Sequence, residues 1–162
     1  MSAQKSDKII AIPVKAHVKT FLEHKDNLGK GPYEIRKDHW LGELITAVFS
    51  FHPLSEVEVP SEYFPEKTVK LPTIEVIPKF RVNRELLTDE HLNKVGMTLE
   101  VIFKHALIYY ARGRMTLLKS EQGAVNCFYK EYGIEPDHYD TTAAFKVVNR
   151  SKDEKKTEQA TK

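Results

Sequence analysis

Apolar residues recur at helical spacing in five stretches of this chain and alternate with polar residues in shorter pieces between them. Lys8 to Val14 (KIIAIPV) reads as a short strand. Val14, Val18, Phe21 and Leu22 then stand at i, i+4, i+7 and i+8, which predicts a helix from about Pro13 to Lys25. Pro13 suits the first helical position, where no backbone N–H is needed. Asn27 to Pro32, with Gly29 and Gly31, breaks that helix. A second helix is expected from Asp38 as cap to about Ser50. Leu41, Leu44, Ile45, Val48 and Phe49 form its buried face, with Trp40 covering an edge.

The middle of the chain, Phe51 to Asn83, holds Pro53, Pro60, Pro65, Pro72 and Pro78 and no glycine. Proline removes a donor and fixes φ, so a long helix is excluded there. Val57 and Val59 alternate with Glu56 and Glu58, and Ile74 and Val76 alternate in the same way. The reading is extended chain, with a strand near Thr73 to Val82. Pro78 would place that strand at an edge or a bulge. The N-terminal strand is a candidate partner in a small mixed sheet. Thr88 then caps a long helix with Asp89 and Glu90 in its first turn. Leu92, Val95, Leu99, Ile102, Phe103, Ala106 and Tyr110 mark its buried stripe. Gly113 is expected to weaken or end it.

The local signals are densest from Ser120 to Arg150. Val125, Phe128, Tyr129 and Tyr132 lie on one helical face behind Ser120 as N-cap. Gly133 falls where a left-handed residue ends a helix, and Ile134 can fold back on Tyr129. Pro136 forbids continuation, and Asp140 can cap a following helix with Ala144, Phe145 and Val148 as its apolar stripe. The fold class is therefore α+β: a small mixed or antiparallel sheet with about five helices, ending in a C-terminal helical hairpin. Residues 8–150 read as one domain, after a polar start at 1–7. The polar segment 151–162 lacks apolar anchors and is expected to be disordered.

Charge narrows the function classes. The net charge is +2. Arg150 to Lys162 carries five Lys/Arg and three Asp/Glu, which accounts for all of it and leaves 1–149 neutral. Overall charge thus gives no support for nucleic-acid binding, and only local patches can. Cys127 is the single cysteine, so no intrachain disulfide can form. No secretory signal precedes Lys8. The apolar run Val101 to Ala111 is interrupted by Lys104 and His105 and is too short to span a membrane. These features point to a cytoplasmic protein without a membrane partner.

Candidate chemistry is sparse. The seven histidines form no metal-binding spacing, and Asp137, His138 and Asp140 read as turn and cap residues. Lys30 between two glycines lacks the phosphate-loop spacing, and Glu75 with Lys79 offers one carboxylate where a hydrolytic metal centre needs several. No catalytic residue, metal or cofactor is assigned, and the chain is expected not to be an enzyme. The strand Lys8 to Val14 presents no row of polar side chains, so a base-reading ribbon is set aside. As a helix-turn-helix the C-terminal hairpin has too long a turn: six residues separate Gly133 from Asp140, where a DNA reader has about 3–4. Its outer face nevertheless carries Lys146 and Arg150. Further basic residues gather at Arg112, Arg114 and Lys119, and a second group at Lys79, Arg81 and Arg84. Such groups can hold phosphates without reading sequence.

The order of elements, closing in Phe128-Tyr129-Lys130-Glu131-Tyr132-Gly133-Ile134-Glu135-Pro136-Asp137, resembles small proteins carried by phages and mobile elements of Bacteroidota bacteria. The resemblance covers about residues 8–150. It implies a bacterial cytoplasm as the setting and carries over no catalytic residue. Two functions follow as expectations. One is a non-enzymatic nucleic-acid-binding accessory or regulatory protein, with duplex DNA held by Arg112, Arg114, Lys119, Lys146 and Arg150. The other is a protein-interaction or virion-associated component, in which Tyr63 and Phe64 on the Pro-rich segment contact a protein partner or form a homodimer.

Overall fold

The computed structural model describes residues 9–50, 70–83, 85 and 87–160. Among them lie three strands and five helices: β1 (Ile10–Pro13), α1 (Ala16–Leu22), β2 (Tyr33–Ile35), α2 (Trp40–Ser50), β3 (Thr73–Pro78), α3 (Asp89–Leu118), α4 (Glu121–Tyr132) and α5 (Thr141–Ala160). The class is α+β with a small mixed sheet, ending in a helical hairpin. Packing groups the chain into two compact units, Met1–Leu99 and Glu100–Lys162. The division falls inside the continuous helix α3, so no linker composition marks it.

In the first unit the sheet order is β1-β3-β2. β1 runs antiparallel to β3 with Ile10 opposite Val76 and Ile12 opposite Ile74. β2 runs parallel to β3 with Tyr33 opposite Val76. The alternation in β1 and β3 sends Ile10, Ile12, Ile74 and Val76 into the core beside Val18, Phe21, Leu22, Leu41 and Ile45. Several expectations change here. β3 is the central strand, not an edge, and it ends at Pro78 rather than Val82. A proline is tolerated because it is the last residue: the ladder resumes with the Lys79 N–H donating to the Ile35 carbonyl at 2.9 Å. Pro13 stays in β1, and α1 begins only at Ala16, after Lys15 in extended conformation. α2 begins after His39 rather than Asp38. The His39 ring accepts from the Leu41 N–H at 3.2 Å, while Asp38 pairs with Arg36 at 3.3 Å on the surface. Val57 and Val59 lie outside the described residues.

Helix α3, about 45 Å long at 1.5 Å per residue, starts as expected at Thr88. The Thr88 hydroxyl faces the His91 N–H at 3.4 Å, a long contact, and Asp89 and Glu90 occupy the first turn. Gly113 does not end it. The helix continues to Leu118, and nothing lies within 4 Å of where a Gly113 Cβ would stand. Its stop is Lys119, which takes the left-handed φ of 51° and donates its N–H to the Met115 carbonyl. The fully buried positions are Val95, Leu99, Phe103, Leu107 and Ala111. Leu92, Ile102, Ala106 and Tyr110 are only half-buried flanks of that row.

The hairpin forms as its caps dictate. The Ser120 hydroxyl accepts from the Gly123 N–H at 3.1 Å and opens α4. Gly133 at φ 65° closes it, and the Ile134 N–H reaches back to the Tyr129 carbonyl at 2.9 Å with the Ile134 side chain buried. A Cβ at position 133 meets no atom, so a Gly133→Ala substitution tests backbone conformation alone. It is expected to cost about 1 kcal/mol, read as a lower midpoint in urea denaturation with an unchanged slope. Asp140 opens α5 by accepting from the Thr142 N–H at 2.7 Å. Where the sequence reading has a polar tail, α5 runs on to Ala160. Lys and Glu are good helix formers. Ser151 is buried, and Lys152 pairs with Glu121 of α4, so the helix stays anchored past Arg150.

Candidate nucleic-acid interface

The second unit is built on an aromatic centre. Phe103 of α3 and Phe128 of α4, both fully buried, meet edge to face with ring centroids 5.7 Å apart. Tyr110 meets Phe128 at 5.3 Å, Tyr132 lies tilted on Phe128 at 4.7 Å, and Tyr139 stands perpendicular to Phe103 at 5.5 Å. α5 closes on this layer through Ala144 and Val148, both without exposure. The Tyr129 hydroxyl donates to the Tyr139 carbonyl at 2.7 Å and fixes the turn between α4 and α5.

Tyr129 and Tyr139 hold their protons unusually tightly. Burial raises the Tyr129 phenol, with Tyr139 and Asp140 adding to it. Burial, then the negative charge of Glu100, pushes the Tyr139 phenol up to about 12. Glu100 is itself buried, 3.4 Å from Lys104. Because the folded chain binds the Tyr139 proton more tightly than the unfolded chain, its contribution to stability is complete below pH about 10 and is lost as pH rises through about 12. Denaturation midpoints measured across pH 9 to about 12 should fall, and Tyr139→Phe should flatten part of that fall.

The five basic residues singled out in the sequence all belong to this unit, but their surroundings differ. Arg114 faces a carboxylate. Its Nε donates to the Tyr110 hydroxyl at 3.2 Å, that hydroxyl donates to Glu131 at 2.6 Å, and the guanidinium lies 3.7 Å from Glu131. The hydrogen bond to Tyr110 raises the Arg114 guanidinium further, and burial, with the bond to Glu131, raises the Tyr110 phenol. Arg112 lies across to α5, donating from Nη2 to the Ser151 carbonyl at 3.2 Å, with its guanidinium 5.7 Å from the centre of the Tyr109 ring. Lys119 is exposed at the α3–α4 turn. Lys146 and Arg150 are exposed one turn apart on α5, and neither side chain makes an ion pair or hydrogen bond among the described residues.

In the other basic group, Lys79 pairs with Glu34 at 3.5 Å and Arg81 is exposed, both in the first unit. Arg84, Tyr63 and Phe64 lie outside the described residues. No group of three or more His, Cys, Asp or Glu side chains among the described residues is placed to hold a metal ion. Asp137 and His138 sit exposed in the hairpin turn, and Asp140 uses an oxygen to cap α5. No described helix is long and apolar enough to cross a membrane. Tyr109, exposed on α3 and stacked on His105, was not singled out from the sequence. Its position one residue before the stripe residue Tyr110, about 100° round the helix, is the signal that places it outside.

Comparison with protein-family models, curated proteins and solved structures returns no match.

Proposed function

We propose that this chain is a non-enzymatic nucleic-acid-binding accessory or regulatory protein of a phage or mobile element, and that its second unit holds backbone phosphates. The observation that carries this reading is the pair Lys146 and Arg150. Elsewhere in the unit Lys104, Arg114 and Lys152 are matched to Glu100, Glu131 and Glu121. Lys146 and Arg150 stand at i and i+4 with no carboxylate between them. Like charges at that spacing destabilise a helix by a few tenths of a kcal/mol, and a phosphate bridging them removes the repulsion. Arg112 of α3, fixed on the α5 backbone at Ser151, and Lys119 of the α3–α4 turn supply further positive charge.

The contact is one of positioning rather than base reading. The eight residues from Gly133 to Asp140 between the two helices exceed the short turn that sets a recognition helix in the major groove. Affinity should therefore be salt-sensitive and tolerant of sequence. Fluorescence anisotropy with a labelled duplex at low salt tests the reading. Binding that weakens as salt is added and is nearly independent of sequence supports it. Absence of binding to any nucleic acid at low salt removes it. Replacing both Lys146 and Arg150 with glutamine should weaken binding at least tenfold, since two charge-assisted phosphate contacts together exceed about 1.4 kcal/mol.

A further inference from the structure

One exposed face of the second unit takes no part in its core. Along α3, Val101, His105, Ile108, Tyr109 and Arg112 follow at spacings of three and four and so share one side of the helix. The buried row Phe103, Leu107 and Ala111 occupies the other. Tyr109 is 65% exposed and Val101 47%, although both are large apolar residues. The Tyr109 ring is not loose. The His105 ring stacks on it at 6.3 Å and 26°, and the Arg112 guanidinium lies 5.7 Å from its centre. Arg112 is in turn tied to the α5 carbonyl of Ser151, next in sequence to Arg150. An oriented aromatic ring is thus held in solvent beside a fixed cation, on a helix tied through Arg112 to the one that carries the unmatched basic pair.

We infer that the nucleic acid is single-stranded and that Tyr109 is the platform on which one of its bases stacks. This rests on the phosphate-contact reading of Lys146 and Arg150. Phosphate contact alone gives a single strand no advantage over a duplex, whose charge density is higher, whereas an exposed ring is of use only to a base whose face is open. Bases in a duplex are stacked on one another and present edges and phosphates. In a single strand every base offers a π face, and stacking on an aromatic side chain is tolerant of sequence. His105 and Arg112 preset the ring, so little side-chain freedom is lost on binding.

The test compares a labelled oligodeoxythymidine of about 20 nucleotides, several times a typical single-strand site, with a duplex of equal length, for wild type, Tyr109→Ala and Tyr109→Phe. Wild type is expected to prefer the single strand about tenfold. Tyr109→Ala should lose that preference while keeping its duplex affinity within about twofold, and Tyr109→Phe should retain it. Equal binding of both forms by wild type overturns the stacking inference and leaves phosphate contact standing. So does a single-strand preference that Tyr109→Ala does not reduce. No binding of either form by wild type overturns both. Because Tyr109 lies outside the core, circular dichroism of the alanine variant should match wild type.

Discussion

Replacing Phe128 with alanine is expected to cost the second unit about 3–5 kcal/mol, enough to unfold it or bring it to the edge of unfolding at room temperature. Phe128 has no exposure and touches three other rings, those of Phe103, Tyr110 and Tyr132. Removing its ring forfeits the transfer free energy of a large apolar side chain and leaves a cavity that rigid aromatic neighbours refill poorly. The loss reaches the surface. Tyr110 rests on Phe128 and carries the hydrogen bonds to Arg114 and Glu131. Urea denaturation followed by near-ultraviolet circular dichroism would show the loss, with Phe128→Leu retaining part of the stability. A Phe128→Ala variant as stable as wild type would mean that α4 does not pack on α3 through this ring.

The second large effect is expected in the first unit. Gly42 lies at the start of α2, and a Cβ built there would fall far inside contact distance of the Arg36 carbonyl oxygen and 3.2 Å from Cγ2 of Ile35. The obstructing atom is backbone at the end of β2, so no side chain can swing aside. Gly42→Ala must push α2 away from the strand, displacing Leu41 and Ile45 from the core. A cost of about 3 kcal/mol or more is expected, at the upper end of overpacking. In an ordinary helix the same exchange is favourable by roughly 1 kcal/mol. Gly113→Ala is the control, because nothing lies near its Cβ and it should raise stability by about 0.5–1 kcal/mol. The two melting temperatures should move in opposite directions. A neutral Gly42→Ala would contradict the close approach of α2 to β2.

What the sequence disclosed and what it hid divide by range. Ser120, Gly133, Ile134 and Asp140 were legible because a cap is settled within four or five residues of itself. The strand from Tyr33 to Ile35 was not, because its three residues alternate too briefly to signal and its parallel partner β3 lies some forty residues on. Pro78 misled for the same reason. Whether a proline stands at an edge or at the end of a central strand depends on where β2 docks. Gly113 read as a breaker, yet glycine inside a helix costs only about 1 kcal/mol, which thirty residues of helix with a buried row of side chains outweigh.

The candidate site shows the same division. Arg112, Arg114, Lys119, Lys146 and Arg150 were identified by type, but Arg114 faces Glu131, which Tyr110 reaches across 21 residues of sequence. No local pattern separates an arginine so matched from one left open. Lys146 and Arg150 could be placed on the outer flank of α5 from the Ala144 and Val148 stripe, because helical phase is local. That Tyr109 is both exposed and held between His105 and Arg112 follows from rotamers, which periodicity does not reach.

The most direct test of the account is the salt dependence of binding in wild type and in Lys146→Gln/Arg150→Gln. Each phosphate contact contributes about 0.9 to the slope of log affinity against log salt on duplex and about 0.7 on a single strand. The paired substitution should therefore reduce the slope by about 1.4–1.8 without lowering the melting temperature, since it also removes a like-charge pair from the helix. A variant whose slope equals that of wild type would show that α5 does not carry the phosphates.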